Sequence, residues 1–204
     1  MKFLQIFILA VYSSFVFAGN PNDFESSMAG FKVTKPTTWK FITVDENLEN
    51  VKKTKKNKLN DTEFKQYMLK YSTVPLVAIM KHPEHFDDLN PTFRVNIKPL
   101  GNLDGADPKQ MLNLILPRFK TLFQDFNLVQ PPMDTKVSGL NAAYMRMNYS
   151  LMIPDGRKFL TASELWIVPR GEFFFMIGAG TRQDEKTGSR KDIYKILSSV
   201  VLSK

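Results

Sequence analysis

The chain has no cysteine at all, only two histidines in 204 residues, and no long apolar run after residue 17. Each absence removes a class of explanation. Without cysteine there are no disulfides, no thiolate nucleophile and no attachment point for a lipid, so stability must come from a packed core. With both histidines in one short segment, a Ser-His-Asp type of active site has little to draw on. No Gly-x-Ser-x-Gly elbow and no phosphate-cradling glycine loop is present either. Beyond residue 17 no stretch approaches the ~20 apolar residues of a membrane-spanning helix.

What is present begins with a leader. Lys2 is a short positive segment, Phe3 to Phe17 is apolar, and Val16-Phe17-Ala18 is small enough for cleavage before Gly19. This pattern predicts a signal peptide over residues 1–18, a soluble mature chain and a periplasmic or secreted location. The composition, 43% hydrophobic and 12% aromatic, supports one domain over residues 19–204 with a sizeable core. The net charge is +8, of which Lys2 leaves with the leader. An exported chain has no nucleic acid to meet, so the charge points to an acidic protein, an anionic surface or solubility.

The C-terminal third sets the fold. Ala143 to Met152 reads as a strand, Pro154-Asp155-Gly156-Arg157 as a turn, Phe159 to Val168 as a second strand, Pro169-Arg170-Gly171 as another reversal, and Phe173 to Gly180 as a strand covered on both faces. The result is an antiparallel meander. Three consecutive phenylalanines in its last strand require covering elements.

Upstream, Asn20 to Ser27 reads as a polar entry segment, and Gly30 to Pro36 as a half-buried strand followed by a core Trp39. Asn60-Asp61-Thr62-Glu63 has the form of a capping box, and Phe64, Tyr67, Met68 and Tyr71 follow at helical spacing. Val74 to Lys81 and Thr92 to Lys98 read as strands. Asp107-Pro108 opens a helix with stripe residues Met111, Leu112, Ile115, Phe119, Leu122 and Phe123, in which Pro117 should produce a kink or a break. Val129 to Pro132 reads as a linker and Met133 to Val137 as a short strand. Ile193, Ile196, Leu197, Val200 and Val201 form one face of a closing helix.

Two segments are candidate sites. His82-Pro83-Glu84-His85-Phe86-Asp87-Asp88 gathers imidazoles and carboxylates, with His82 and His85 as the candidate ligands of a zinc- or copper-like ion. The competing reading is a plain polar hairpin loop. Lys52, Lys53, Lys55 and Lys56 form a basic run that is either a solvated loop or a patch for an anionic partner.

The order strand, helix, two strands, helix, meander and closing helix, with Gly30-Phe31-Lys32-Val33-Thr34-Lys35-Pro36 before Trp39 and the closing Ile193-Tyr194-Lys195-Ile196-Leu197-Ser198-Ser199-Val200, resembles the PsbP/DcrB-like family, whose fold is shared with the Ran-release factor Mog. The resemblance implies an α+β domain, an antiparallel sheet in an α/β/α sandwich. It also implies a non-catalytic accessory or adaptor protein without cofactors that binds a partner protein in the bacterial cell envelope. A small-ligand or metal-binding periplasmic carrier is the alternative. The chain departs from the DcrB-like lipoproteins in lacking their lipid-bearing cysteine.

Overall fold

A computed structural model describes residues 20–27, 29–42, 75–83, 86–103, 105–153 and 155–203. The leader, the Lys52, Lys53, Lys55 and Lys56 run, the helix expected from Asn60, and His85 lie outside the described residues.

Among the described residues the chain runs β1 (Asp23–Ser26), β2 (Phe31–Thr34), β3 (Lys40–Phe41), β4 (Val77–Met80), β5 (Thr92–Pro99), α1 (Pro108–Leu122), β6 (Gln124–Val137), β7 (Leu140–Met152), β8 (Lys158–Arg170), β9 (Phe173–Arg182), α2 (Arg190–Ser198) and β10 (Val201–Leu202). A seven-stranded sheet has the order β3-β4-β5-β9-β8-β7-β6, and all its neighbours are antiparallel. The expected meander, β7 to β9, runs outward from the central strand β9. Gly156 and Gly171 have φ of +87° and +57°, the left-handed conformation that both predicted reversals need.

Side-chain alternation divides the sheet into two buried faces. On the first, Val95, Phe175, Ile177, Trp166 and Val168 pack with Phe31 and Val33 of β2, Trp39, and Ile193 and Ile196 of α2. On the second, Met145, Met147, Leu165, Ile167 and Phe174 pack beneath Met111 and Leu112 of α1. The architecture is therefore an α+β sandwich with α1 on one face. A small sheet, β1-β2-β10, shares the other face with α2.

This small sheet departs from the sequence expectation at both ends of the chain. The polar entry segment is strand β1, paired along β2 from Asp23↔Thr34 to Ser26↔Phe31. Val201, expected on the apolar face of a helix, is half exposed and pairs with Lys32 as part of β10.

Helix α1 begins as its sequence demands. Asp107 Oδ1 accepts from the backbone N–H of Lys109 at 2.8 Å and of Gln110 at 3.3 Å, and Pro108 stands at the first helical position. Asp107→Ala is expected to cost about 1 kcal/mol in urea denaturation. The helix continues through Pro117 as one element. The carbonyl that Pro117 leaves without a donor belongs to Asn113, and both residues are exposed, so water can serve it. Leu122, expected in the stripe, is 62% exposed.

The largest difference lies at β6. The expected linker and short strand are one 14-residue edge strand. Register shifts at Gln124/Asn127, Leu128/Gln130 and Gln130/Met133, together with Pro131 and Pro132, hide its periodicity. These irregularities also blunt the sheet edge against pairing with another chain.

Candidate functional site

Sheet register brings together residues that are far apart in sequence. On the α1 face, one row across the strands runs Ala78, Arg94, Gly178, Leu165 and Met145. The next runs Met80, Thr92, Gly180, Ser163 and Met147. Helix α1 covers the β6 to β8 side of these rows. The β5 and β9 side is left as a groove of about 540 Å³, walled by Phe119, Phe123, Met147, Leu151, Leu165 and Met176 and reaching Arg94 and Asn96.

The floor exists because two glycines stand where side chains would fill it. Neither Gly178 nor Gly180 has a positive φ, so backbone strain does not demand glycine here. A Cβ on Gly178 would meet only Leu165 Cδ1, at 4.0 Å, and the space above it is open. Glycine inside a strand sacrifices packing and backbone entropy, and commonly marks a close approach by another group.

Polar groups are sparse and mostly satisfied. The Tyr149 hydroxyl and Ser163 Oγ are 2.9 Å apart, and the Tyr149 ring stacks on Phe123 with centroids 3.9 Å apart. Burial pushes the Tyr149 hydroxyl pKa up, and the Ser163 contact opposes this. Near the Arg182 end of β9, Asp88 forms a two-pronged ion pair with Arg182 that ties the β4–β5 loop to the strand. The Arg182 hydrogen bonding holds the Asp88 carboxyl below its ordinary range. Arg94 differs from these groups. Its Nε is buried without a hydrogen-bond partner, and burial lowers its pKa.

The opposite face holds a closed polar cluster. Glu164, 3% exposed, accepts from Arg190 Nε at 2.8 Å, from the Tyr194 hydroxyl at 2.9 Å and from the Tyr144 hydroxyl. Tyr144 stacks on Trp166, and Tyr194 meets Trp166 edge-on. Burial first, then the Glu164 and Tyr194 contacts, raises the Tyr144 pKa far above its ordinary value. The cluster pins α2 to β7 and β8. A hollow of about 680 Å³ above the start of α2 is lined, among the described residues, by the single segment Glu185 to Tyr194.

Neither His82 nor Trp39, both singled out in the sequence, lines the groove. His82 stacks on Phe86 with centroids 3.9 Å apart, and its backbone N–H donates to Asn90 Oδ1 at 3.0 Å. No group of three or more potential metal ligands occurs among the described residues. Trp39 is 1% exposed and is a core residue, as expected. Met145 and Met147 are core, whereas Met152 is 45% exposed. The groove has two signals in the sequence: an arginine between apolar Phe93 and Val95, and two glycines in an otherwise bulky strand.

No family profile matches the chain, and no curated protein matches its sequence. Solved structures do match. LpqN of Mycobacterium tuberculosis, involved in cell envelope biogenesis, superposes with a TM-score of 0.51 and 14% identity over 85% of this chain and 83% of that one. Cyanobacterial PsbP (CyanoP) from Synechocystis sp. PCC 6803 gives 0.47 and 11% identity over 92% and 96%. A protein of Bacteroides thetaiotaomicron gives 0.46 and 14% identity over 90% and 48%. The α+β sandwich expected from the sequence is the fold found, and likeness to LpqN at this identity concerns the fold alone.

Proposed function

We propose that the protein is an exported, non-catalytic binding protein of the bacterial cell envelope whose groove beside α1 takes an apolar ligand. The observation that carries this reading is the glycine-floored groove, whose volume and mixed lining are those of ligand sites. The non-catalytic part is supported by the groove's chemistry. Glu164 forms part of the wall, but its carboxylate is held on the other face by Arg190, and burial raises the Tyr149 hydroxyl pKa, which keeps it protonated and makes it a poor general base. The envelope location is supported by the leader and by the fold shared with LpqN.

The test is titration with the neutral fluorophore Nile red. Wild-type protein is expected to bind it saturably, and Gly178→Leu to lose at least about ten-fold in affinity while the melting temperature holds, because the new side chain occupies open space. Equal binding by the variant would defeat the reading. Adaptor activity toward a protein partner is the second reading, and the exposed Leu114 and Leu122 of α1 favour it. It predicts a partner whose binding is insensitive to Gly178→Leu and is lost on Leu114→Glu.

A further inference from the structure

Resting on the groove reading above, we propose that the ligand is a fatty-acid-type monocarboxylate whose head group pairs with Arg94 and whose chain lies across Gly178 and Gly180 toward Phe119 and Phe123.

Arg94 stands within β5, with Phe93 and Val95 on either side pointing into the opposite core. Its neighbours in register are Ala78 and Gly178, two of the smallest residues, so the space beside the guanidinium is not filled by their side chains. No ion pair engages it among the described residues, and its Nε has no hydrogen-bond partner. A guanidinium stays charged in proteins, and burying such a charge without a counter-ion is costly. The other arginine at this end of the sheet, Arg182, already has Asp88. Among the described residues, one cation without a partner therefore lines the groove, which suits a single negative charge with two acceptor oxygens. Thr92, Asn96 and Ser163 are neutral hydrogen-bonding groups along the same lining.

The rest of the groove is mostly apolar. From Arg94 on β5 to Met147 on β7 is three inter-strand steps, roughly 14 Å. The intervening glycine floor and the Phe119, Phe123 and Leu165 walls offer no partner for a second charge. A flexible acyl chain fits that shape, whereas a second head group would have to leave polar atoms unpaired.

Displacement of Nile red by dodecanoate and by dodecanol, matched in chain length, separates the charge from the chain. Wild-type protein is expected to release the dye at about ten-fold lower dodecanoate than dodecanol. Arg94→Met is expected to abolish that preference, since it removes the only charge proposed to read the carboxylate. Equal displacement by acid and alcohol in the wild type, or a preference that persists in Arg94→Met, overturns the carboxylate assignment and leaves the apolar groove standing. Failure of wild-type protein to bind the dye or either amphiphile overturns both. The acid-to-alcohol comparison is made on wild-type protein, so it decides the question even if the variant does not fold.

Discussion

Phe175→Ala is expected to destabilise the fold by about 4 kcal/mol, within the range for deleting a buried aromatic ring. Phe175 is fully buried on β9, the fourth strand of seven. Its ring lies 5.5 Å from that of Phe31 in the small sheet and 5.4 Å from that of Phe173, so its loss opens a cavity where the two sheets meet. Neighbouring strands on both sides hold the backbone and prevent the space from collapsing. Urea denaturation should show the shift in midpoint with an unchanged slope, and a loss below about 2 kcal/mol would mean that this junction packs less tightly than described. Phe173→Ala should cost less, because that ring is only half buried.

Glu164→Ala is expected to cost about 3 kcal/mol, the lower end of the range for removing one partner of a buried pair. The lower end applies because the Arg190 side chain is 37% exposed and water can take over its guanidinium. The larger share of the cost comes from Tyr144, whose buried hydroxyl would lose its acceptor. Arg146 Nε and Asn148 Oδ1, on the same face of β7 as Tyr144, are buried without partners. Glu164→Gln keeps the shape without the charge and should restore part of the loss. Equal stability of wild type and Glu164→Ala in thermal melts would show that the cluster does not hold α2 in place.

The meander is legible in the sequence because its three strands are long and their turns carry Asp-Gly and Arg-Gly pairs in the conformations glycine favours. Helix α1 is legible at its start, where Asp107 and Pro108 meet local backbone requirements, and less so at Leu122, whose exposure depends on where the sheet ends. Strand β6 is hidden because each bulge shifts the inward and outward positions, and because Pro131-Pro132 imitates a linker. Strands β1 and β10 have four and two residues, too few for a period, and their pairing with β2 is decided by tertiary contact. The groove is the least legible part. Gly178 and Gly180 resemble the end of a strand, and Arg94 resembles the solvent-facing residue of an alternating one, until register places all three side by side. Residues rich in chemistry draw attention elsewhere in the sequence, to His82, which lies in the described loop, and to His85, which lies outside the described residues.

The small sheet joins residues that are synthesised at opposite times. Leu202 and Val201 pair with Phe31 and Lys32, the Ser203 N–H donates to the Gly30 carbonyl at 2.9 Å, and Ser199 Oγ accepts from the Thr34 N–H at 3.0 Å and donates to its carbonyl at 2.9 Å. These contacts span some 165 residues of chain. A partial chain emerging from the ribosome can make the hairpins of the meander, but it cannot close over β2 until residues 199–203 are free. Completion of the fold is thus tied to the availability of residues 199–203, and a chain of this design stays open, and able to be threaded, for as long as they are withheld.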